Sequence, residues 1–325
     1  MRKGKCVLIF LCLAGILISS CHRDIPDLDF KQEMRDFVQA ISSYAKAKNP
    51  EFIIIPQNGQ ELVTLNGDNK GTADLTYLSS IDGQGREDLL YGYDEDNKAT
   101  PSAETEYMTD FLDLAKEYGV VILVTDYCSS TSKIDDSYSR NNLKGYISFA
   151  ATHRELDNIP SYPVNPVSEN NNTVITLDEA KNFLYLINPD QYTSKQDFIN
   201  SVNSTNYDLL IMDLFFNEEA FTSAEVESLR NKANGGKKLV ICYMSIGEAE
   251  DYRYYWEEDW KRGNPEWLYK ENPDWEGNYK VKYWMDDWKQ IIFGDENSYL
   301  DKILKAEFDG VYLDIIDAFE YFEEL

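Results

Sequence analysis

The pattern of apolar and polar positions divides the chain into one long helix followed by alternating strands and helices. Between residues 24 and 48, apolar side chains recur every three or four positions, which predicts an amphipathic helix. Asn49-Pro50 is expected to end it, because proline does not continue a helix. Further helical stretches are predicted at 104–118, 195–203, 222–234 and 295–306.

Short apolar runs lie between the helical stretches and predict strands that are buried on both faces, as in a parallel sheet. Their alternation with helices favours a single (β/α)8 TIM barrel, which leaves one of nine candidate runs outside the barrel. An open doubly wound sheet is the alternative, although no glycine-rich phosphate loop follows any run. The Pro- and Asn-rich stretch 158–178 is expected to be a surface loop rather than a domain boundary. The nine runs are Phe52–Ile55, Tyr77–Ile81, Val120–Asp126, Tyr146–Ala150, Phe183–Ile187, Leu209–Asp213, Leu239–Ser245, Tyr279–Trp284 and Gly310–Ile316.

The first twenty residues have the order of features found in a bacterial lipoprotein signal peptide. Three cations precede an apolar segment, 7–18, and Ile18-Ser19-Ser20-Cys21 follows it. Cys21 would then be the first mature residue and would carry the lipid anchor. We therefore expect a protein of the bacterial cell envelope, anchored by lipid at the periplasmic or surface face of the outer membrane, with residues 21–325 as one domain. An ordinary secretory signal with an incidental cysteine is the alternative.

Charge and residue counts exclude several classes of function. The formal net charge is −27, and it becomes −30 once Arg2, Lys3 and Lys5 leave with the signal. Nucleic-acid binding, which needs cations to neutralise phosphates, is therefore disfavoured. The chain has two histidines and no metal-type Cys/His spacing, so Ser-His-Asp and Cys-His chemistry are disfavoured and no cofactor is expected.

Acids and amides follow many of the predicted strands, where a barrel places its catalytic groups. One such acid is explained by helix capping, but the whole set suggests glycoside hydrolysis or divalent-cation binding. All six tryptophans lie between Trp256 and Trp288, among many tyrosines. Some are expected to form a local core and others to line a groove, where aromatic faces pack against sugar rings. The combination favours a carbohydrate.

Several long motifs resemble glycoside hydrolase family 114, the family of the endo-α-1,4-polygalactosaminidases. The strongest are SIGEAEDYRYYW (245–256), NPDWEGNYKVKYW (272–284) and FDGVYLDIIDAFEYF (308–322). EFIIIPQNGQ, GREDLLYGY, VTDYC, FLYLINP and LLIMDLF extend the resemblance over most of the chain. The resemblance implies a TIM barrel that cleaves a galactosamine-containing polysaccharide.

The order of these motifs differs from that of many relatives. The strand that resembles FLYLINP comes first in the relatives, whereas here the PQNG, REDLLY and TDY strands precede it. This order resembles a circular permutation in which 158–178 joins the usual ends of the family. It predicts that residues 24–30 lie near residues 320–325, less than about 25 Å away.

The resemblance assigns Asp314 and Glu87 as the catalytic carboxylates, with Glu248 as the chief rival of Glu87. Glu248 and Arg253 are assigned to substrate positioning. A polysaccharide and, through the lipid, a membrane are the expected partners of a monomer that binds no nucleic acid and no metal. A non-catalytic glycan-binding lipoprotein on the same barrel and a Ca²⁺-dependent surface protein are the alternatives. The other side chains expected at the mouth are Gln57, Asn58, Asp126, Asp213, Tyr243, Trp284 and Asp317.

Overall fold

The computed structural model describes residues 25–325 as alternating helices and strands. The predicted signal peptide, Cys21 and His22 lie outside the described residues. Within residues 25–325, no helix combines the length and apolar character needed to cross a membrane. The helices are α1 Phe30–Lys48, α2 Leu75–Leu78, α3 Ser102–Glu117, α4 Thr131–Lys144, α5 Lys195–Asn203, α6 Ser223–Leu229, α7 Asp286–Ile292, α8 Tyr299–Lys305 and α9 Ala318–Glu323. The strands are β1 Ile53–Pro56, β2 Gly83–Glu87, β3 Val121–Tyr127, β4 Ile147–Ala151, β5 Leu184–Tyr185, β6 Leu209–Met212, β7 Phe215–Phe216, β8 Glu219–Ala220, β9 Leu239–Ser245, β10 Glu248–Glu250, β11 Leu268–Glu271, β12 Asn278–Val281 and β13 Gly310–Asp314.

Eight parallel strands form two sheets that position the site. One has the order β1-β13-β9-β6-β5 and the other the order β2-β3-β4. The sheets meet where Gln57 forms a parallel bridge with Gly85 and the Asn58 amide donates to the Gly85 carbonyl at 2.9 Å. At the other edge, Phe149 of β4 packs against Phe183 beside β5, with ring centroids 5.8 Å apart. No strand pairing joins β4 to β5 within residues 25–325, so the described fold is a mixed α/β fold with parallel sheets rather than a hydrogen-bonded closed barrel.

Most predicted strands are confirmed, and two runs have a different structure. Residues 77–81 belong to the end of α2 and the turn after it, so the prediction of a strand there was wrong. The parallel strand is β2, which follows and carries glycine at 83 and 85 instead of apolar residues. A Cβ at Gly85 would lie 2.2 Å from the Tyr312 hydroxyl, so the tyrosine ring fills the space that a side chain would need. The run 279–284 begins in β12, which pairs antiparallel with β10 and β11, and it is the ninth run that lies outside the parallel sheets.

Helix α1 packs against the last helix, α9. Asp29 caps α1 by accepting a hydrogen bond from the Gln32 amide at 2.9 Å. The Phe30 and Phe322 rings are 5.7 Å apart, and Lys31 forms an ion pair with Glu323. The proximity expected between residues 24–30 and 320–325 is therefore confirmed at Phe30.

The stretch 158–178 lies as a loop against the amino ends of β6 and β9. Its Asn170 donates to Asp208, which precedes β6, and its Asn172 carbonyl accepts from Lys232 at 3.0 Å. Lys232 and Asp208 are themselves a fully buried ion pair, with Nζ 2.7 Å from Oδ1. Buried charges are stable only when paired and hydrogen-bonded, and here the loop supplies part of that pairing.

Candidate active site

A cleft of about 640 Å³ opens at the carboxyl ends of the parallel strands. Parallel strands bring the residues after each strand to one edge, and this is where barrel and doubly wound enzymes place their active sites. Of the side chains predicted from the sequence, nine line this cleft: Gln57, Asn58, Glu87, Asp213, Tyr243, Glu248, Arg253, Asp314 and Asp317.

Asp314 ends β13 and lines the cleft. Burial, followed by the nearby charge of Glu87, raises the pKa of Asp314 to about 8. The Tyr243 hydroxyl donates to Oδ2 at 2.6 Å, and this bond opposes the rise because it stabilises the carboxylate. Asp314 therefore keeps its proton at neutral pH, which suits a general acid.

The turn after Asp314 is strained. Ile315 has a φ of 59°, in the left-handed region that a β-branched residue rarely adopts. Gly247 makes this turn possible, because a Cβ at Gly247 would lie 2.1 Å from the Ile315 carbonyl oxygen. The Ile246 amide donates to the Asp314 carbonyl at 3.1 Å and fixes the end of β13. Strain of this kind persists where surrounding contacts hold it, and here it orients the acid.

Glu87 ends β2 and is held by two donors. The Tyr127 hydroxyl donates to Oε1, and the Asn58 side-chain amide donates to Oε2 at 3.2 Å. The Asn58 side-chain carbonyl in turn accepts from the Glu87 backbone amide at 3.1 Å. Donors aimed at both oxygens suit a carboxylate anion. Since the charge of Glu87 acts directly on Asp314, the two carboxyl groups are within electrostatic reach of each other.

Tyrosine rings form the floor beneath this pair. Tyr185 donates to the Gln57 side-chain carbonyl at 2.8 Å, and its ring lies 5.2 Å from that of Tyr312. Burial raises the pKa of both phenols well above the usual value, so both stay neutral. Of the two, Tyr185 lines the cleft, so its neutral ring forms part of the cleft surface.

Arg253 forms a buried ionic cluster on the wall of the cleft. Its Nη2 lies 2.7 Å from Oδ2 of Asp213, and its Nε lies 2.5 Å from Oε2 of Glu250. Burial raises the pKa of Asp213, while the guanidinium opposes that rise. Because Asp213 and Glu250 are both occupied by the same arginine, they shape the wall rather than exchange protons.

Glu248 lies on the same wall, in β10, and is almost completely buried. Asn272 donates to its Oε1 at 3.0 Å, and Lys280 lies 3.3 Å from the same oxygen. Burial raises the pKa of Glu248, with Lys280 opposing that rise. The nearby charge that raises the pKa of Asp314 most is that of Glu87, and this coupling favours Glu87 over Glu248 as its partner.

Asp317 lines the cleft and lies three residues beyond Asp314, immediately before α9. Burial raises the pKa of Asp317 to about 6, opposed by the charge of Arg86. Residues 25–325 contain no group of three or more His, Cys, Asp or Glu side chains arranged to hold a metal ion.

Two predicted site residues do not reach the cleft. Asp126 is fully buried and accepts from the backbone amides of residues 90 and 91 and from the side chains of residues 137 and 141, so the expectation that it lines the mouth was wrong. Side chains alternate along a strand, and in β3 the inward position belongs to Tyr127. Trp284 packs against Phe30 and Phe322, with ring centroids 5.1 and 4.8 Å away, and is absent from the cleft lining.

The cleft residues that were not predicted include Tyr127, Arg154, Tyr252 and Trp275. Tyr127 could have been found by counting every second residue from Leu123. Arg154 follows β4, stacks on the Tyr127 ring at 3.8 Å and forms an ion pair with Asp88 at 3.0 Å. No pattern in the sequence connects Arg154 with this partner, because 66 residues separate them.

A protonated carboxyl group beside a hydrogen-bonded carboxylate, in a cleft at the strand ends, is typical of glycoside hydrolases. Residues 164–325 match the model of glycoside-hydrolase family GH114. This match supports the resemblance to that family and, in general terms, a glycosidase activity. It includes Asp314, Tyr243, Glu248 and Arg253, whereas Glu87 lies before the matched segment.

The chain is also similar to three uncharacterised proteins. It is 37% identical over 184 residues to a protein of Methanocaldococcus jannaschii, and the matched segment covers 55% of this chain and 49% of the relative. It is 40% identical over 125 residues to a protein of Thermotoga maritima, and the matched segment covers 38% of this chain and 36% of the relative. A protein of Deinococcus radiodurans is 40% identical over 125 residues, covering 38% of each. The matches span about half or less of each relative.

Proposed function

We propose that the protein is an endo-acting glycoside hydrolase in which Asp314 is the general acid and Glu87 the second carboxylate. The observation that carries this proposal is the contrast between the two groups across one cleft. The raised pKa of Asp314, about 8, favours its protonated form at neutral pH, and Glu87 accepts hydrogen bonds from Tyr127 and Asn58 on its two oxygens. Asp314 donates its proton to the glycosidic oxygen as the bond to the anomeric carbon breaks. Glu87 either attacks that carbon or takes a proton from the attacking water.

The proposed substrate is an α-1,4-linked galactosamine-type polysaccharide, which is cationic where it is deacetylated. Resemblance to family 114 suggests this polymer, and the charge of the cleft supports it. Both arginines of the lining are already paired with acids, Arg154 with Asp88 and Arg253 with Asp213. The remaining acids therefore give the cleft a negative potential that attracts a cationic chain.

The activity is tested by reducing-end release from a partly deacetylated galactosamine-rich polysaccharide, with wild type beside Asp314→Asn. We expect release by the wild type and a loss of at least about a hundredfold in the variant, since a general acid contributes about 10²–10⁴. Full activity of Asp314→Asn would refute the assignment. Glycan binding without release by either protein would favour a non-catalytic binding protein. The anomer formed first, observed by NMR, distinguishes retention from inversion.

We further propose that the eight parallel strands are a permuted TIM barrel. In space the strands follow the order β5, β6, β9, β13, β1, β2, β3 and β4, so the chain's first four strands continue the sheet after its last strand. Packing of Phe149 on Phe183 brings the remaining edges together. A chain that joins residue 325 to residue 25 and opens within 158–178 should fold and retain activity. Failure of that chain to fold would contradict the permutation.

We also propose that Cys21 carries a lipid that anchors the protein in the bacterial cell envelope. The support is the order of charge, apolar segment and Ser19-Ser20-Cys21 in the sequence. Cys21→Ala should abolish incorporation of labelled fatty acid and release the protein from the membrane fraction. Unchanged fractionation of Cys21→Ala would exclude the anchor.

A further inference from the structure

The tryptophans of residues 256–288 differ in how they are packed. Five of them contact other aromatic rings; for example, the Trp256 and Trp260 centroids are 5.3 Å apart, and Trp267 and Trp288 are 4.8 Å apart. Trp275 has no aromatic ring against it within the described residues and is 51% exposed. Trp275 also lines the cleft, so its half-exposed indole leaves an apolar face open to a ligand bound there.

Trp275 lies at the tip of the hairpin between β11 and β12, and hydrogen bonds hold this tip in place. The Asn278 amide donates to the Trp275 carbonyl at 3.1 Å, and the Gly277 amide donates to a Glu271 side-chain oxygen at 3.1 Å. Gly277 has a φ of 83°, which the turn requires and which glycine adopts without strain. The indole is therefore presented from an ordered turn.

Trp275 and Tyr252 line the same cleft as the two catalytic carboxylates. Tyr252 is 61% exposed, and its hydroxyl donates to a Glu250 oxygen at 2.5 Å, which fixes the ring at the wall. Both aromatic residues belong to the small β10-β12-β11 sheet and the segment beside it, which follow β9. Glu87 ends β2, which is separated from β9 by β13 and β1, so the aromatic residues flank the cleft on the opposite side of Asp314.

We infer that Trp275, together with Tyr252, forms a sugar-stacking subsite for a part of the polysaccharide beyond the bond that is cleaved. This inference rests on the proposed function. The C–H face of a pyranose ring packs against an aromatic face, while the phenol or indole edge remains hydrated. A subsite on one side of the acid holds a chain that continues past the reacting unit. It therefore predicts a preference for long chains over short oligosaccharides.

The subsite predicts an effect on binding and little effect on the chemical step. Loss of one stacking contact with an aromatic face should weaken the affinity by about two- to twelvefold. Trp275→Ala should raise KM for the polymer by that factor and leave kcat within about twofold. Trp275→Phe should restore most of the affinity because it keeps an aromatic face. Trp284→Phe is the matched control, since Trp284 is packed against Phe30 and Phe322 outside the cleft.

The deciding experiment measures binding of the partly deacetylated galactosamine-rich polysaccharide by calorimetry, with each tryptophan variant made in the Asp314→Asn background. We expect weaker binding with Trp275→Ala, recovery with Trp275→Phe and no change with Trp284→Phe. Equal affinity of Trp275→Ala and its parent, or no detectable binding by the parent, would overturn the subsite. Binding is measured without turnover, so the subsite and the hydrolase are tested separately. If binding depends on Trp275 but the wild type releases no reducing ends, the subsite is supported and the hydrolase is refuted. If the wild type releases reducing ends and Trp275→Ala has an unchanged KM, the hydrolase is supported and the subsite is refuted.

Discussion

Removal of the Tyr243 hydroxyl should move the pKa of Asp314 upward. The hydroxyl donates to Asp314 Oδ2 at 2.6 Å and stabilises the ionised form. A hydrogen bond to a charged group contributes about 1.5–3 kcal/mol. Since about 1.36 kcal/mol corresponds to one pH unit, Tyr243→Phe should raise the pKa of Asp314 by about one to two units above its value of about 8.

Glu87→Gln should shift the same pKa in the opposite direction. The charge of Glu87 raises the pKa of Asp314, so a neutral amide at this position lowers it. A general acid works only while it is protonated, and the rate therefore falls as the pH rises through its pKa. The alkaline limb of the pH–kcat profile should lie higher in Tyr243→Phe than in the wild type. Loss of activity would hide this limb in Glu87→Gln, so its Asp314 is titrated by NMR of ¹³C-labelled aspartate.

The matched control is Tyr185→Phe, because the Tyr185 hydroxyl donates to Gln57 rather than to Asp314. That variant should leave the hydrogen bond on Asp314 intact and shift its pKa less than Tyr243→Phe does. An unchanged or lowered pKa in Tyr243→Phe, or a raised pKa in Glu87→Gln, would refute the electrostatic account of the pair.

Three further predictions concern stability. The pKa of Asp314 is about 8 in the folded protein and 3.8 for an ordinary aspartate, so its contribution to stability is complete below pH 4 and is lost as the pH rises through 8. Calorimetry should therefore show that Asp314→Asn melts at a higher temperature than the wild type at pH 9, and that this difference disappears at pH 4. Asp126→Ala leaves four donors without their acceptor and should lose about 3 kcal/mol or more in urea unfolding, whereas an unchanged stability with a raised KM would restore Asp126 to the site. Lys232→Met should lower the free energy of unfolding by about 3–5 kcal/mol because it leaves Asp208 buried without its charged partner. Adding Asp208→Asn should recover part of that loss. A double variant that is no more stable than Lys232→Met would contradict the pairing.

The strands that the sequence predicted well are those whose two faces are both apolar. β9 was predicted at its observed bounds, since every residue from Leu239 to Ser245 is buried. β2 was missed because its inner face is glycine, and the volume is filled by Tyr312 from a strand that lies 227 residues further along the chain. The local sequence around Gly85 does not show that the ring of a residue distant in the chain occupies the space beside it.

The sequence predicted that the candidate site lies at the strand ends, but it did not predict which side chains there point into the cleft. Asp314 and Glu87 were both placed correctly in the cleft, whereas Asp126 was assigned to it although its neighbour Tyr127 faces inward. Tryptophans were identified as a group, and only the packing distinguishes Trp275, which is half-exposed, from Trp284, which packs against phenylalanine rings. Direction and packing depend on tertiary contacts that composition and spacing do not contain.

Pairing of β1 with β13 sets the order in which the protein can fold. Ile53 is paired with Gly310, so the contact joins two strands separated by almost the whole described chain. Contacts of such high sequence separation form slowly, because a long loop must close before they stabilise the fold. During synthesis β1 is made early and keeps an unpaired edge until β13 emerges. Because Asp314 ends β13, a nascent chain that still lacks β13 also lacks the residue that the proposed mechanism assigns as general acid.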